Sequence, residues 1–185
     1  MKFKSELSKI ITPVIMDNGK YFINELFNKK FNCDAPEASN PQIIELFSIK
    51  GAPVVINHLI GFYKNKNNCF LPVSYVSLLT YKKVILVGGV MTDGEVIRQM
   101  SEHERQIIAN SEGIYYSMLK YAFEYFADQC DAYFGYVNNP RALEVNLAAG
   151  FEKTKYQYLI ANYHKPISNW KKNRITKIIR DLGPF

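Results

Sequence analysis

The side chains best suited to bind a metal or attack a carbon centre are scattered. Cys33, Cys69 and Cys130 lie far apart with no C-x-x-C spacing. Neither a disulfide framework nor a zinc site is expected, and the three thiols read as core residues. His58, His103 and His164 are equally dispersed. The pair His103-Glu104 has no second histidine at the spacing a metalloprotease helix requires, so no metal site is expected. The stretch whose residue types and spacing carry information is Asn139-Pro140-Arg141-Ala142-Leu143-Glu144-Val145-Asn146-Leu147-Ala148-Ala149-Gly150-Phe151, directly after the apolar run 132–137. Asn139 can accept the orphan amide protons of a first helical turn. Pro140 suits the first helical position because its missing N–H would be unpaired there, and Gly150 suits a left-handed stop. Leu143, Leu147 and Ala148 supply a narrow apolar stripe. The segment therefore reads as strand, tight turn, short helix and return into Phe151, a strand-helix unit of an α/β domain.

Asn139, Ala142, Gly150 and Phe151 fall at N-x-x-A followed by Gly-Phe, a pattern that resembles the closing motif of the GNAT superfamily of N-acetyltransferases. The resemblance covers about residues 54–164. It implies an α/β (α+β) domain with the acyl-CoA N-acyltransferase fold: a mixed central sheet, splayed between its fourth and fifth strands, with helices on both faces. Acetyl-CoA would lie in that gap as co-substrate and pass its acetyl group directly to an amine on a small molecule or a protein.

Carried onto this chain, the resemblance puts Asn139 and Ala142 near the pantetheine and pyrophosphate. Val90 and Met91 fall on the fourth strand, whose unpaired backbone groups can be met by pantetheine, itself a chain of two amides. Gly88-Gly89 would permit a bulge there. Asn110, Ser111, Glu112, Gly113, Ile114 and Tyr115 fall in the loop and helix start that would hold the pyrophosphate, where amide protons and the helix dipole favour an anion. The loop departs from the family pattern Q/R-x-x-G-x-G/A. Gly113 matches, but Asn110 stands for Gln or Arg, Tyr115 for a small residue, and Glu112 adds negative charge beside phosphates.

Acetyl transfer needs a base for the amine and an acid for the departing thiolate. The family's usual tyrosine acid is replaced by Asn146, whose amide can donate a hydrogen bond but has no titratable proton to give. Tyr115 and Tyr116 are the substitute candidates, and Asp93, Glu95 and His58 the candidate bases. Two other readings stand beside the enzyme: a binding or regulatory protein that keeps the fold without turnover, and a nucleic-acid-associated module acting through the C-terminus.

The elements that would position these residues follow from periodicity. Leu7, Ile10, Ile11, Val14 and Ile15 fit either a first strand or a helical turn interrupted by Pro13. Phe22, Ile23, Leu26, Phe27 and Phe31 recur at helical spacing, and a second helix start follows at Ser39-Asn40-Pro41. Runs 54–63, 70–80 and 84–91 are strands joined by short loops, with Pro72 confined to a start, an edge or a bulge. Residues 95–110 read as one helix, with Ser101 and Glu104 at capping-box spacing, and 113–126 as another. A final strand region spans 151–163.

A 185-residue chain that is 48% hydrophobic and 14% aromatic is expected to fold as a globule and not to be disordered. No apolar run approaches the roughly 20 residues of a membrane span, and the polar N-terminus is unlike a signal peptide, so a cytoplasmic location is expected. Lys165, Lys171, Lys172, Arg174, Lys177 and Arg180, against Asp181, account for almost all of the formal +6 charge. Residues 1–164 thus read as the acetyltransferase-like domain and 165–185 as a basic amphipathic tail. Ile175, Ile178, Ile179 and Leu182 form its apolar face, expected to pack on its own domain or on a second copy in a homodimer, with the lysines facing water. Nucleic acid is not the expected partner.

Overall fold

Strict alternation of side chains builds the centre of the molecule. In the computed structural model, which describes residues 6–17 and 55–185, seven strands form one sheet in the order β1-β2-β3-β4-β5-β7-β6. They are β1 (Ile11–Asp17), β2 (Val55–Lys64), β3 (Phe70–Tyr81), β4 (Val84–Thr92), β5 (Ala132–Tyr136), β6 (Glu152–Lys153) and β7 (Leu159–Asn162). Strands β1 to β4 form an antiparallel meander, β4 and β5 run parallel, and β7 is antiparallel to both β5 and β6. This mixed sheet, with its single parallel pair among the described strands, has the splay between its fourth and fifth strands that the resemblance implies.

Successive residues of the central strands feed two cores. Ile85 and Val87 of β4, Tyr133 of β5 and Ile160 of β7 point into one core, whereas Val84, Leu86, Phe134, Leu159 and Ala161 point into the other. The first is covered by α3 (Ile114–Tyr125), which contributes Met118, Leu119 and Ala122. The second is covered by α5 (Asn169–Leu182), which contributes Ile179 and Leu182 and packs Ile175 and Ile178 against them. Each aliphatic side chain so buried is worth about 1.5–3 kcal/mol, which anchors the C-terminal helix to the sheet. Its lysines and arginines are left at or near the surface.

Local chemistry explains where the structure refines or corrects the sequence reading. The N-terminal ambiguity resolves into both alternatives: a 3-10 turn at Glu6–Lys9, then β1 through Pro13. The single helix expected over residues 95–110 is instead two, α1 (Gly94–Gln99) and α2 (Glu102–Ala109). Ser101 accepts from the Glu104 amide while Glu104 Oε2 accepts from the Ser101 amide at 2.7 Å, and this capping box restarts the helix. Buried Met100 makes the extended link. The final strand region is likewise broken. Thr154 Oγ1 donates to the Leu159 carbonyl at 2.8 Å and accepts from the Tyr156 amide, while Tyr158 takes a positive φ, so 152–162 folds into a short hairpin. Pro72 pairs with Phe62 beside a register shift, the bulge position proline requires. The helices expected around residues 22–31 and 41–47 lie outside the described residues.

Candidate active site

Strands β4 and β5 pair over only four positions, Val84 with Ala132 through Val87 with Gly135. Beyond them β4 continues to Thr92 in register with β3, and Tyr136 at the end of β5 pairs with Leu159 of β7. Two strand edges therefore face one another without a ladder between them. The divergence begins where β4 bulges: Val76 pairs with Val90 and Leu78 with Val87, so Gly88 and Gly89 together oppose Ser77. A Cβ built on Gly88 would come no closer than 3.4 Å to Leu79, an ordinary contact, so internal packing does not demand glycine here.

The wedge opens a cleft of about 620 Å³. Val87, Gly88, Val90 and Thr92 line one side, and Gly135 through Asn139 the other, with Tyr115, Arg141, Ala142, Val145 and Asn146 completing the wall. Val90 is 38% exposed, unusually open for a valine on an internal strand.

Helix α4 (Pro140–Ala149) is built as its sequence dictates. Asn139 Oδ1 accepts from the Ala142 amide at 3.1 Å, Pro140 occupies the first turn, and Gly150 closes the helix at φ 112°. With Oδ1 spent on the cap, the Asn139 side-chain NH₂ has no partner among the described residues and can donate into the cleft it lines. Asn146, only 1% exposed, donates from Nδ2 to the Ala142 carbonyl at 2.8 Å and accepts at Oδ1 from the Tyr115 hydroxyl at 3.2 Å. Burial pushes the Tyr115 phenol up to about 12, and the Asn146 contact opposes that rise only partly. Tyr115 thus stays a neutral hydrogen-bond donor throughout the working pH range of most proteins.

Helix α3 begins without a side-chain cap. Glu112 and Gly113 both take positive φ, and nothing lies within 4 Å of where a Gly113 Cβ would be. The amides of this first turn keep their donor capacity, while the Glu112 side chain is exposed.

Of the residues expected to hold acetyl-CoA, Val90, Tyr115, Asn139 and Ala142 line the cleft, as does Asn146. Met91, Asn110, Ser111, Glu112, Gly113 and Ile114 do not. Ile114 is buried in the core, Ser111 Oγ donates to the Ile108 carbonyl, and Asn110 ends α2. Tyr116 packs against the core beneath α3. The expected bases also fall elsewhere. Asp93 is spent capping α1, Glu95 is exposed and paired with Arg98, and His58 is buried with Nδ1 2.8 Å from the Tyr75 hydroxyl. Sequence reasoning missed Tyr136, Val145, Thr92 and above all Arg141. The signal for Arg141 was present, since a cation in the first turn of a helix opposes the dipole there.

No group of three or more His, Cys, Asp or Glu among the described residues could hold a metal ion, and no described helix is long and apolar enough to cross a membrane. Neither a family model nor a curated protein matches the chain. Among solved structures the chain is similar to the ribosomal-protein-S18-alanine N-acetyltransferase from Escherichia coli, at 8% identity and a TM-score of 0.42, covering 85% of this chain and 97% of that one.

Proposed function

We propose that this protein is an acetyl-CoA-dependent N-acetyltransferase whose co-substrate lies in the cleft between β4 and β5. The observation that carries the reading is the pair of unladdered strand edges facing a 620 Å³ wedge. Main-chain groups left without partners favour an extended ligand that offers amides of its own, as pantetheine does. The bulge at Gly88-Gly89 supports the same reading, because it breaks the β4 register where β4 and β5 part and because packing does not demand glycine at position 88.

When bound, acetyl-CoA supplies an acetyl group already activated as a thioester. The chain's residues then orient and exclude water. Val87, Val90 and Val145 give the apolar walls, and Asn139 donates from its free amide group. The Tyr115 hydroxyl gives its one proton to Asn146 Oδ1; turned from that acceptor toward the cleft, it would meet the departing sulfur as the N–C bond forms and the C–S bond breaks, while the proton shed by the amine nitrogen passes to solvent. A phenol pushed to about 12 acts mainly as a hydrogen-bond donor, because proton transfer is most efficient when the donor's pKa lies near the working pH.

A second reading, a fold relative that binds the ligand without turning it over, draws support from one feature: no Asp, Glu or His is among the described residues that line the cleft. Calorimetric titration with acetyl-CoA followed by a thiol-release assay over peptide α-amines, lysyl peptides and polyamines separates the two. Binding with thiol release supports the enzyme, and binding without release supports the relic. Absence of binding overturns both.

A further inference from the structure

Arg141 is the one charged side chain among the described residues that line the cleft. It is exposed, and no described residue gives it an ion pair, a hydrogen bond or a ring contact. Its place is also electrostatically unfavourable. It sits in the first turn of α4, directly after Pro140, where the positive end of the helix dipole disfavours a cation, and no acidic side chain in that turn compensates. Helices α1 and α2 open with Glu95, Glu102 and Glu104, and where α5 opens with Lys171 and Lys172 each has an acidic partner, Asp131 and Glu152. Where a charge of the wrong sign stands at a helix start and no described residue offsets it, a ligand is the expected compensation.

The loop before α3, which the family uses for phosphate, has Asn110 in place of a basic or amide side chain of greater reach. It carries the exposed carboxylate of Glu112, and its residues 110–114 do not line the cleft. We infer that Arg141 holds phosphate oxygens at the nucleotide end of the co-substrate, taking over charge neutralisation that this loop does not supply. The planar guanidinium can engage two phosphate oxygens in a fixed bidentate geometry, which the point charge of a lysine does not impose. The inference rests on the acetyl-CoA reading above.

The test is calorimetric titration of the wild type, R141A, R141K and R141E with CoA, with dephospho-CoA and with pantetheine, alongside thermal unfolding without ligand. R141A is expected to bind CoA about ten- to a hundredfold more weakly, the loss of one charge-assisted contact, while pantetheine binding is unchanged. R141K should fall between, and R141E should weaken CoA binding further. Without ligand, R141E should raise the unfolding midpoint by roughly 1–3 °C, because an acid relieves the conflict with the dipole; a residue with only a structural role would lose stability instead. An R141A defect that disappears with dephospho-CoA assigns the 3′-phosphate, and one that persists assigns the diphosphate. CoA binding by R141A equal to wild type, or equal losses for CoA and pantetheine, overturns the inference. A wild type that binds no CoA overturns the acetyltransferase reading, and this inference falls with it.

Discussion

Replacing Tyr115 by phenylalanine removes one hydroxyl and tests the Tyr115–Asn146 pair as a unit. Asn146 Nδ2 is committed to the Ala142 carbonyl, so Y115F strands Oδ1 on a side chain only 1% exposed. A buried acceptor left without a partner costs about 1–3 kcal/mol. The 3.2 Å length of the bond and the adjoining cleft, from which water can reach the site, place the cost near the lower end, about 1 kcal/mol. In a chain of this size that lowers the unfolding midpoint by about 2–4 °C. N146L should cost a similar amount, and the double variant less than the sum, with a coupling of about 1 kcal/mol. The phenol's folded value stands above its ordinary 10.0. Its contribution is therefore fully present below pH 10.0 and is lost as the pH rises toward about 12, an alkaline loss that Y115F should lack. Thermal unfolding across pH reads both effects, and steady-state thiol release reads catalysis, where loss of a hydrogen-bond donor to the developing thiolate should cost about a hundredfold in kcat. An additive cycle together with unchanged turnover in Y115F would refute the pairing and its role.

Three further substitutions probe the frame that holds the cleft. Gly150→Ala places a side chain at φ 112° and a Cβ 3.3 Å from Asn162 Nδ2, so it should destabilise by about 1–2 kcal/mol in urea unfolding. Ile179→Ala removes a side chain 1% exposed in the core beneath α5 and should cost about 2–4 kcal/mol; a value near zero would show that the C-terminal helix is not docked. The Lys171 ammonium, 2.8 Å from Asp131 Oδ2, holds that carboxyl below its ordinary 3.8. A depressed acid stabilises above its unfolded value and loses that contribution as the pH falls through the folded one. K171M should therefore be weaker than wild type by about 0.2–1 kcal/mol at neutral pH and no weaker near pH 2, as urea midpoints at the two values would reveal.

Features legible in the sequence were those whose chemistry is local. The cap, first-turn proline and glycine stop of α4, the bulge permitted by Gly88-Gly89 and the confinement of Pro72 each follow from backbone rules that act over a few residues, and the structure places each accordingly. The division of residues 95–110 was half visible: the capping box of Ser101 and Glu104 was recognised, but Val96, Ile97 and Met100 keep helical spacing up to it, which hid the extended link at buried Met100. Contacts between distant segments were not legible. Tyr115 and Asn146 stand apart in the chain and meet only because α3 and α4 pack together over the same core. Asp93 and His58 looked available as bases because sequence shows neither the amides that Asp93 caps nor the hydroxyl that His58 meets. Arg141 was passed over because periodicity weighs apolar positions, whereas its interest lies in a charge of the wrong sign at a helix start.

Hydrogen exchange at the backbone amides of Gly88–Thr92 and Gly135–Asn138, followed by mass spectrometry with and without acetyl-CoA, asks whether the open strand edges receive the co-substrate. Slowed exchange confined to these two segments and the starts of α3 and α4 is the predicted result. Binding accompanied by protection elsewhere, with exchange along both edges unchanged, would contradict it.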